Sequence, residues 1–317
     1  MQIEPAVIQF IGRLAGEQAP YLDPGCGLSH AERRAAMAAS QQRHLSELAY
    51  PEFADVSVTE LEISHDGQPV PLRLFTPKGE GPRPAYLFFF GGGFWQRSFD
   101  GPDIVSACRQ AASEAGVLVV EIDYPLAPEH PYPAALEAGV AALRYLVDNA
   151  DHLGIRADRI AVGGQSSGGN LAAAVVRHAH DHGGPAIARQ VLEVPALDLT
   201  GAHLAQLPGQ EAGPFPAEFV ELLSLYQVFG RETDPCVSPL LAPDFSGLPP
   251  ALVLCSEFDP LRGDAQAYVA ALQAAGVPAV GVSYAGQIHA TPALGPISPS
   301  ARAWRAQVSD YLRQLHR

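Results

Sequence analysis

Short apolar runs alternate with longer stretches of helical periodicity from residue 85 onward, and this alternation restricts the fold more than any other feature of the sequence. The apolar runs are Ala85–Phe90, Val117–Ile122, Ile160–Val162, Ile187–Val194, Ala251–Leu254 and Val280–Tyr284. The helical stretches are about 102–115, 134–149, 168–182, 262–275 and 300–315. Runs without apolar–polar alternation are typical of strands that are covered on both faces. Strands that alternate with helices predict an α/β fold with a mostly parallel central sheet and right-handed crossovers.

Two segments that do not follow this strand–helix alternation predict a helical cap. Residues 1 to about 50 have a helical pattern, in which Ser29 and Glu32 form a capping box at the start of a second helix. Residues of about 196–245 are rich in proline and hold a helical patch at Ala217–Phe229. We expect the two segments to cover the strand ends, where ligands bind in open α/β sheets. The alternative for the second segment is an ordinary surface excursion.

The composition predicts one large domain and excludes several partners. The 317 residues are 47% apolar and 17% charged, which is enough to bury a large core. The formal net charge of −14 disfavours binding to nucleic acid and to anionic membrane surfaces. No run approaches the roughly 18 apolar residues of a membrane span, and the first residues lack the basic start of a secretion signal. We therefore expect a soluble, cytoplasmic protein, and a homodimer is allowed.

The cysteines and other metal-ligating residues predict no metal site. The four cysteines show neither metal-type nor CxxC spacing, so free thiols are expected. No cluster of His, Asp or Glu has ligand spacing along the sequence.

A G-x-S-x-G motif centred on Ser166 lies between a short predicted strand and a predicted helix. Gly164 and Gly168 flank the serine and leave room for a sharp strand-to-helix turn. Such a turn exposes the serine hydroxyl, and the following helix directs its positive end toward it. We predict that Ser166 is a nucleophile, with Ser167 as the competing hydroxyl.

A serine nucleophile needs a base, and the base needs a carboxylate that orients it. His289 lies in a loop between the strand Val280–Tyr284 and the last helix, which is the expected place for the base. Asp259 follows the apolar run that ends near Cys255, so its carboxylate can reach an imidazole in the next loop. Glu257 and Asp264 are the rival acids.

Three consecutive glycines follow the strand Ala85–Phe90. In Phe90-Gly91-Gly92-Gly93-Phe94, backbone N–H groups can converge on an oxyanion without obstruction by Cβ atoms. The N–H of Ser167 would complete this oxyanion hole. A tight turn is the alternative; a P-loop is ruled out because no Lys-Ser/Thr follows.

With these motifs, the chain resembles the hormone-sensitive-lipase family of esterases in its bacterial carboxylesterase branch. The segment that begins Asp123-Tyr-Pro-Leu-Ala-Pro-Glu-His-Pro-Tyr-Pro and the segment that begins Asp259-Pro-Leu-Arg resemble family signatures, and the N-terminal helices resemble the family's cap. The resemblance implies an α/β-hydrolase fold in which Ser166, Asp259 and His289 are catalytic. It also implies oxyanion donors at Gly92, Gly93 and Ser167, and no cofactor.

The sequence departs from that family at three places. Phe90 stands where the family usually has His, Gln165 stands where it usually has an acidic residue, and Ala290-Thr291 replace the usual Gly-Phe after the base. Because a phenyl ring cannot hydrogen-bond as an imidazole can, we expect aromatic packing to support the glycine loop instead. The neighbours in sequence are Phe88, Phe89, Phe94 and Trp95.

The predicted activity is hydrolysis of short-to-medium acyl or aryl esters, with a small-molecule ester as the partner. Apolar residues of the second cap segment would shape the pocket or form the core of the cap. They are Phe215, Phe219, Leu222, Leu223, Tyr226 and Phe229. Of these we predict substrate contacts for Phe215 and Phe219, together with Phe94. An amidase or lactonase on the same residues, and a non-catalytic small-ligand-binding protein, are the alternatives.

Overall fold

A computed structural model describes residues 3–22, 25–48, 50–205 and 217–317. Its centre is an eight-stranded sheet in the order β1-β2-β4-β3-β5-β6-β7-β8. The strands are β1 Val56–His65, β2 Gln68–Pro77, β3 Arg83–Phe89, β4 Leu118–Ile122, β5 Ile155–Gln165, β6 Arg189–Glu193, β7 Ala251–Phe258 and β8 Ala279–Ile288. β2 is antiparallel to both of its neighbours, and every pair from β4 to β8 is parallel. The sheet is thus mostly parallel, as predicted.

Helices connect these strands and lie against the sheet. They are α1 Pro5–Leu22, α2 His30–Ser46, α3 Pro102–Ala115, α4 Ala134–Asp148, α5 Ala150–Leu153, α6 Ser167–Asp181, α7 Ala217–Tyr226, α8 Arg262–Ala274 and α9 Pro299–Arg313. α3 packs against α9, and α4 packs against α6. The five helical stretches predicted after residue 85 correspond to α3, α4, α6, α8 and α9, so the predicted α/β architecture with helices flanking the sheet is confirmed. None of the helices in the described ranges is long and apolar enough to cross a membrane.

Local sequence signals explain several of these boundaries. The Ser29 side chain accepts a hydrogen bond from the backbone N–H of Glu32, whose carboxylate accepts one from the Ser29 backbone, so the predicted capping box is present at α2. α3 begins at Pro102 and ends at Ala115, and Gly116 caps its C-terminus with a φ of 68°. Asp66 and Gly67 both have positive φ and form the turn between β1 and β2, as a two-residue hairpin requires.

The core lies on both faces of the parallel strands. Every residue of β4 is buried, and Leu87, Val120 and Val162 of three adjacent strands have no exposed surface. Strands that are covered on both faces are apolar throughout, which is why their positions could be found by their lack of alternation.

The two segments predicted to form a cap meet above the glycine loop. Arg33 of α2 forms an ion pair with Glu221 of α7, with Nη1 2.5 Å from Oε1. Arg34 donates to the carbonyl oxygen of Trp95, which follows the loop. The Cβ of an alanine at Gly93 would lie 3.0 Å from Cδ1 of Leu222 in α7. The assignment of these segments to a cap, and of the whole chain to one domain, stays a prediction.

Candidate active site

Ser166 lies in a strained turn between β5 and α6. Its φ of 54° and ψ of −118° fall in a region that non-glycine residues rarely adopt. A Cβ on Gly168 would collide with the carbonyl oxygens of Phe89 and Phe90, so this glycine permits the close approach of α6 to the end of β3. The backbone N–H of Ser166 donates to the carbonyl oxygen of Glu193 at 2.9 Å. The turn is therefore held by its neighbouring strand β6.

Ser166, His289 and Asp259 form one chain of hydrogen bonds. Nε2 of His289 lies 2.9 Å from Oγ of Ser166, and Nδ1 lies 2.9 Å from Oδ2 of Asp259. Asp259 has no exposed surface, and its second oxygen accepts a hydrogen bond from the N–H of Leu261 at 2.9 Å. Because Asp259 directly follows β7 and His289 directly follows β8, the parallel sheet brings them to the same edge.

The rival acids are engaged elsewhere. The Glu257 carboxylate accepts a hydrogen bond from the N–H of Gly286 at 2.7 Å. One oxygen of Asp264 accepts hydrogen bonds from the N–H groups of Leu197 and Asp198, at 2.7 and 2.9 Å. Burial raises the pKa of Asp264 to about 7, against the opposing effect of these two hydrogen bonds. Asp259 is thus the carboxylate that contacts the imidazole.

Two opposing effects set the pKa of His289. Burial disfavours the charged imidazolium and lowers the pKa, but the negative charge of Asp259 and its hydrogen bond favour that form. The net result is a pKa above the ordinary 6.5. The side chain remains 41% exposed, so a molecule that enters from solvent can reach it.

The glycine loop lies against Ser166 and has free donors. A Cβ on Gly91 would lie 3.3 Å from Cβ of Ser166. Gly92 and Gly93 have φ of 141° and 59°, and a Cβ on Gly92 would collide with the carbonyl oxygen of Gln96. Within the described part of the chain, no hydrogen-bond acceptor is found for the backbone N–H groups of Gly92, Gly93 and Ser167. These three N–H groups remain available to an external oxygen atom.

Phe90, which directly precedes this loop, packs against two aromatic rings. Its ring has no exposed surface and stacks on Tyr124, with the ring centroids 4.3 Å apart and the planes at 19°. Phe99 contacts the same ring edge-on at 6.4 Å. The Tyr124 hydroxyl donates to the carbonyl oxygen of Phe90 at 2.9 Å. The prediction of aromatic packing is confirmed, and the observed ring partners, Tyr124 and Phe99, are ones that the sequence analysis did not name.

The three residues predicted to contact substrate differ in their burial and in whether the structure describes them. Phe94 is 1% exposed and stacks on Tyr226, with centroids 3.9 Å apart and planes at 3°. Phe219 is partly buried on α7. Phe215 lies outside the described residues. Phe94 thus packs into the core as the structure stands, and a substrate contact for any of the three stays a prediction.

One group of possible metal ligands was missed because its members are distant in sequence. His65, Asp66 and Glu137 each offer a ligand atom, and these atoms lie within 4.8 Å of one another. Ligand spacing along the sequence could not reveal this group, since the β1–β2 turn and α4 come together only in the fold. Asp66 and Glu137 are exposed, and this group does not include Ser166, Asp259 or His289.

A family model described as the α/β hydrolase fold matches residues 86–293. The chain therefore belongs to the α/β-hydrolase family. It is 38% identical, over 74% of its length, to the carboxylic ester hydrolase LipN of Mycobacterium tuberculosis, of which it spans 63%. It is 36% identical to the esterase LipI of the same organism, over 72% of each chain. A solved hyperthermophilic esterase from the archaeon Pyrobaculum calidifontis is similar with a TM-score of 0.84 at 31% identity, over 100% of this chain and 99% of that one. The predicted resemblance to hormone-sensitive-lipase-type esterases is thus confirmed.

Proposed function

We propose that this protein is a serine carboxylesterase that hydrolyses short-to-medium acyl or aryl esters. The observation that carries the proposal is the unbroken hydrogen-bonded chain from Ser166 through His289 to the buried Asp259. Nucleophile, base and orienting carboxylate in this order are the arrangement that activates a serine hydroxyl. The similarity to LipN and LipI, which are named for ester hydrolysis, supports the same enzyme class.

In the proposed reaction, Oγ of Ser166 attacks the ester carbonyl carbon while Nε2 of His289 accepts the hydroxyl proton. Asp259 stabilises the imidazolium that forms. The N–H groups of Gly92, Gly93 and Ser167 donate to the negatively charged oxygen of the tetrahedral intermediate. The intermediate then collapses: the C–O bond to the alcohol breaks, and His289 returns the proton to the departing alcohol.

The acyl-enzyme is hydrolysed by the same groups. His289 takes a proton from water, the resulting hydroxide attacks the acyl carbon, and the C–O bond to Ser166 breaks as the proton returns to Oγ. Every proton and electron pair in this cycle is supplied by the ester, by water and by these side chains. The proposal therefore includes no cofactor.

Replacement of the nucleophile tests this proposal. Ser166→Ala is expected to lower kcat on p-nitrophenyl esters by several orders of magnitude, because loss of one triad member removes nearly all activation of the hydroxyl. Ser309→Ala is the control, since Ser309 is a buried serine in α9 whose Oγ has no hydrogen-bond partner in the described ranges. A fluorophosphonate should label the wild type once and Ser166→Ala not at all. Turnover by Ser166→Ala within tenfold of wild type would contradict the proposal.

Aryl amides and lactones belong in the same assay. The triad alone does not choose among these acyl donors, because each would pass through a tetrahedral intermediate at Ser166. A wild-type protein that neither hydrolyses any of them nor reacts with the fluorophosphonate would be a ligand-binding member of the fold.

A further inference from the structure

A buried cluster of polar side chains lies behind the strained turn of Ser166. Its members are Gln165, Glu193, Trp304 and Arg305, which we call the arginine cluster. Glu193 is 1% exposed, and Gln165 and Arg305 are each 8% exposed. Nε1 of Trp304 donates to Oε2 of Glu193 at 2.6 Å, and Nη1 of Arg305 lies 3.4 Å from the same oxygen. Polar groups this deeply buried are costly unless they are fully hydrogen-bonded.

The Arg305 guanidinium has a partner for each of its five N–H groups. Nε and Nη2 both donate to the carbonyl oxygen of Pro292, at 3.0 and 2.7 Å. With the Gln165 carboxamide turned so that its oxygen faces the guanidinium, that oxygen accepts from Nη1 and Nη2 at 3.2 and 3.1 Å. This orientation replaces a single 3.4 Å bond from the Gln165 amide to Glu193 with two charge-assisted bonds. Together with Glu193, these acceptors provide a hydrogen-bond partner for every N–H group of the planar guanidinium.

The partners of Arg305 belong to two different parts of the candidate active site. Gln165 is covalently bonded to Ser166, and the backbone oxygen of Glu193 holds the N–H of Ser166 at 2.9 Å. Pro292 belongs to the short 3-10 turn Thr291–Ala293 that follows His289. A single side chain from α9 therefore ties the turn that carries Ser166 to the loop that carries His289.

We propose that Arg305 is a positioning residue that sets the separation of Ser166 and His289 through Gln165 and Glu193 on one side and the Pro292 carbonyl on the other. This inference rests on the proposed esterase function. It also gives a role to Gln165, one of the places where the sequence departs from its family. A neutral carboxamide can accept from Arg305 while Glu193 balances the charge, whereas a second carboxylate at position 165 would leave the buried cluster with an excess negative charge.

A test of this role needs a variant that removes the hydrogen bonds of Arg305 to Gln165 and Pro292 without leaving Glu193 as an unpaired buried charge. Arg305→Met alone leaves the Glu193 carboxylate without its counter-ion, so it is expected to be strongly destabilised. Removal of Arg305 also favours the neutral form of the buried Asp103, whose pKa is raised by burial and lowered by Arg305. The double variant Glu193→Gln/Arg305→Met leaves no charge within the arginine cluster. Its new carboxamide can still accept from Trp304, and its nitrogen can donate to Gln165. The double variant should therefore fold with a Tm near that of the wild type, while the Pro292 carbonyl loses both donors.

Arg313 offers a matched control on the same helix. Its Nε and Nη2 donate to a single carbonyl oxygen, that of Glu114, at 3.1 and 2.8 Å. The hydrogen-bonding pattern is the same as that of Arg305 with Pro292, but Arg313 is exposed and Glu114 belongs to α3, which carries none of the three triad residues. Arg313→Met should leave kcat and KM at the wild-type values.

The measurement is kcat and KM on one p-nitrophenyl ester, with Tm, for wild type, Arg305→Lys, the double variant and Arg313→Met. We expect the double variant to lose roughly 10- to 100-fold in kcat with KM within about twofold, because misplacement of the reacting groups affects the transition state more than binding. Arg305→Lys, which keeps the charge and a donor for Pro292, should lie between the double variant and wild type. A double variant whose kcat stays within twofold of Arg313→Met would overturn the inference, as would a loss that appears in KM alone. A wild type without ester turnover would instead refute the proposed function, and the inference with it.

Discussion

The variant Phe90→Ala tests whether the Phe90 ring holds the glycine loop in place, in addition to stabilising the folded protein. The substitution removes a fully buried ring that stacks on Tyr124 and contacts Phe99. Truncation of a buried phenylalanine costs about 3–5 kcal/mol in the free energy of unfolding, of which a well-placed ring pair accounts for about 0.5–1.5 kcal/mol. The cavity opens directly beside Gly91, so the N–H groups of Gly92 and Gly93 should lose alignment.

The expected kinetic effect is a loss in kcat that exceeds the rise in KM. The contact with the oxyanion strengthens only in the transition state, and misalignment of one donor costs on the order of 10²-fold, or about 2.7 kcal/mol. Phe75→Ala is the matched control, because Phe75 is equally buried but lies in β2, which β4 separates from β3. It should lower Tm by a similar amount and leave kcat nearly unchanged below the melting transition.

Phe90→His completes the experiment. An imidazole at this position would face the Tyr124 ring, and the Tyr124 hydroxyl is already bonded to the backbone oxygen of residue 90. A polar ring without a partner in this site costs about 1–3 kcal/mol, so no gain in kcat is expected. The assay is kcat, KM and Tm for the three variants on one good ester. A large gain from Phe90→His, or a Phe90→Ala variant that loses Tm but keeps its kcat, would refute the idea that the stacked ring supports the loop.

Three further predictions follow from the site. Since Asp259 raises the pKa of His289 above 6.5 and only neutral imidazole accepts the serine proton, kcat/KM should fall with decreasing pH through a midpoint above 6.5. An Asp259→Asn variant, if active enough to measure, should move that midpoint to lower pH, and an unchanged midpoint would contradict the assignment. Gly92→Ala should lower kcat on the order of 10²-fold or more, because its Cβ would collide with the carbonyl oxygen of Gln96; wild-type kinetics would show that the loop adapts. Hydrolysis should persist in EDTA, and complete inhibition that Zn²⁺ reverses would contradict a serine mechanism.

The candidate active site could be predicted from the sequence because its three residues each follow a strand of the parallel sheet. In a parallel sheet every strand ends at the same edge, so Ser166 after β5, Asp259 after β7 and His289 after β8 had to approach one another once the strands were identified. The apolar runs identified the strands because β3, β4 and β5 are covered on both faces. β8 was predicted too short, because the apolar run ends at Tyr284 whereas the strand continues through Gly286 and Gln287 to Ile288.

Contacts between remote side chains were not predictable by the same reasoning. Glu193 lies within the predicted apolar run Ile187–Val194 and Arg305 within the predicted helical stretch of about 300–315. Nothing in either pattern indicates that the two side chains meet, which only the fold shows. The substrate contact predicted for Phe94 stays a prediction, but its ring packing was not foreseen. Phe94 has a positive φ of 66°, and its ring stacks on Tyr226 of α7.

Phe90 and Gln165, two residues at which the sequence differs from its family, are both buried next to the candidate active site. Phe90 directly precedes the glycine loop and has no exposed surface, and Gln165 directly precedes Ser166 and is 8% exposed. Each is matched by partners that suit it: Tyr124 stacks on the phenyl ring, and Arg305 donates to the carboxamide. With these two residues in place, His289 and Ser166 remain 2.9 Å apart, and the N–H groups of Gly92 and Gly93 have no acceptor in the described part of the chain. The family's reacting groups can therefore be held by a different set of buried supports, provided that each support and its partner change together. For the same reason, a single substitution back to the family residue at either position should disturb the site more than the native residue does.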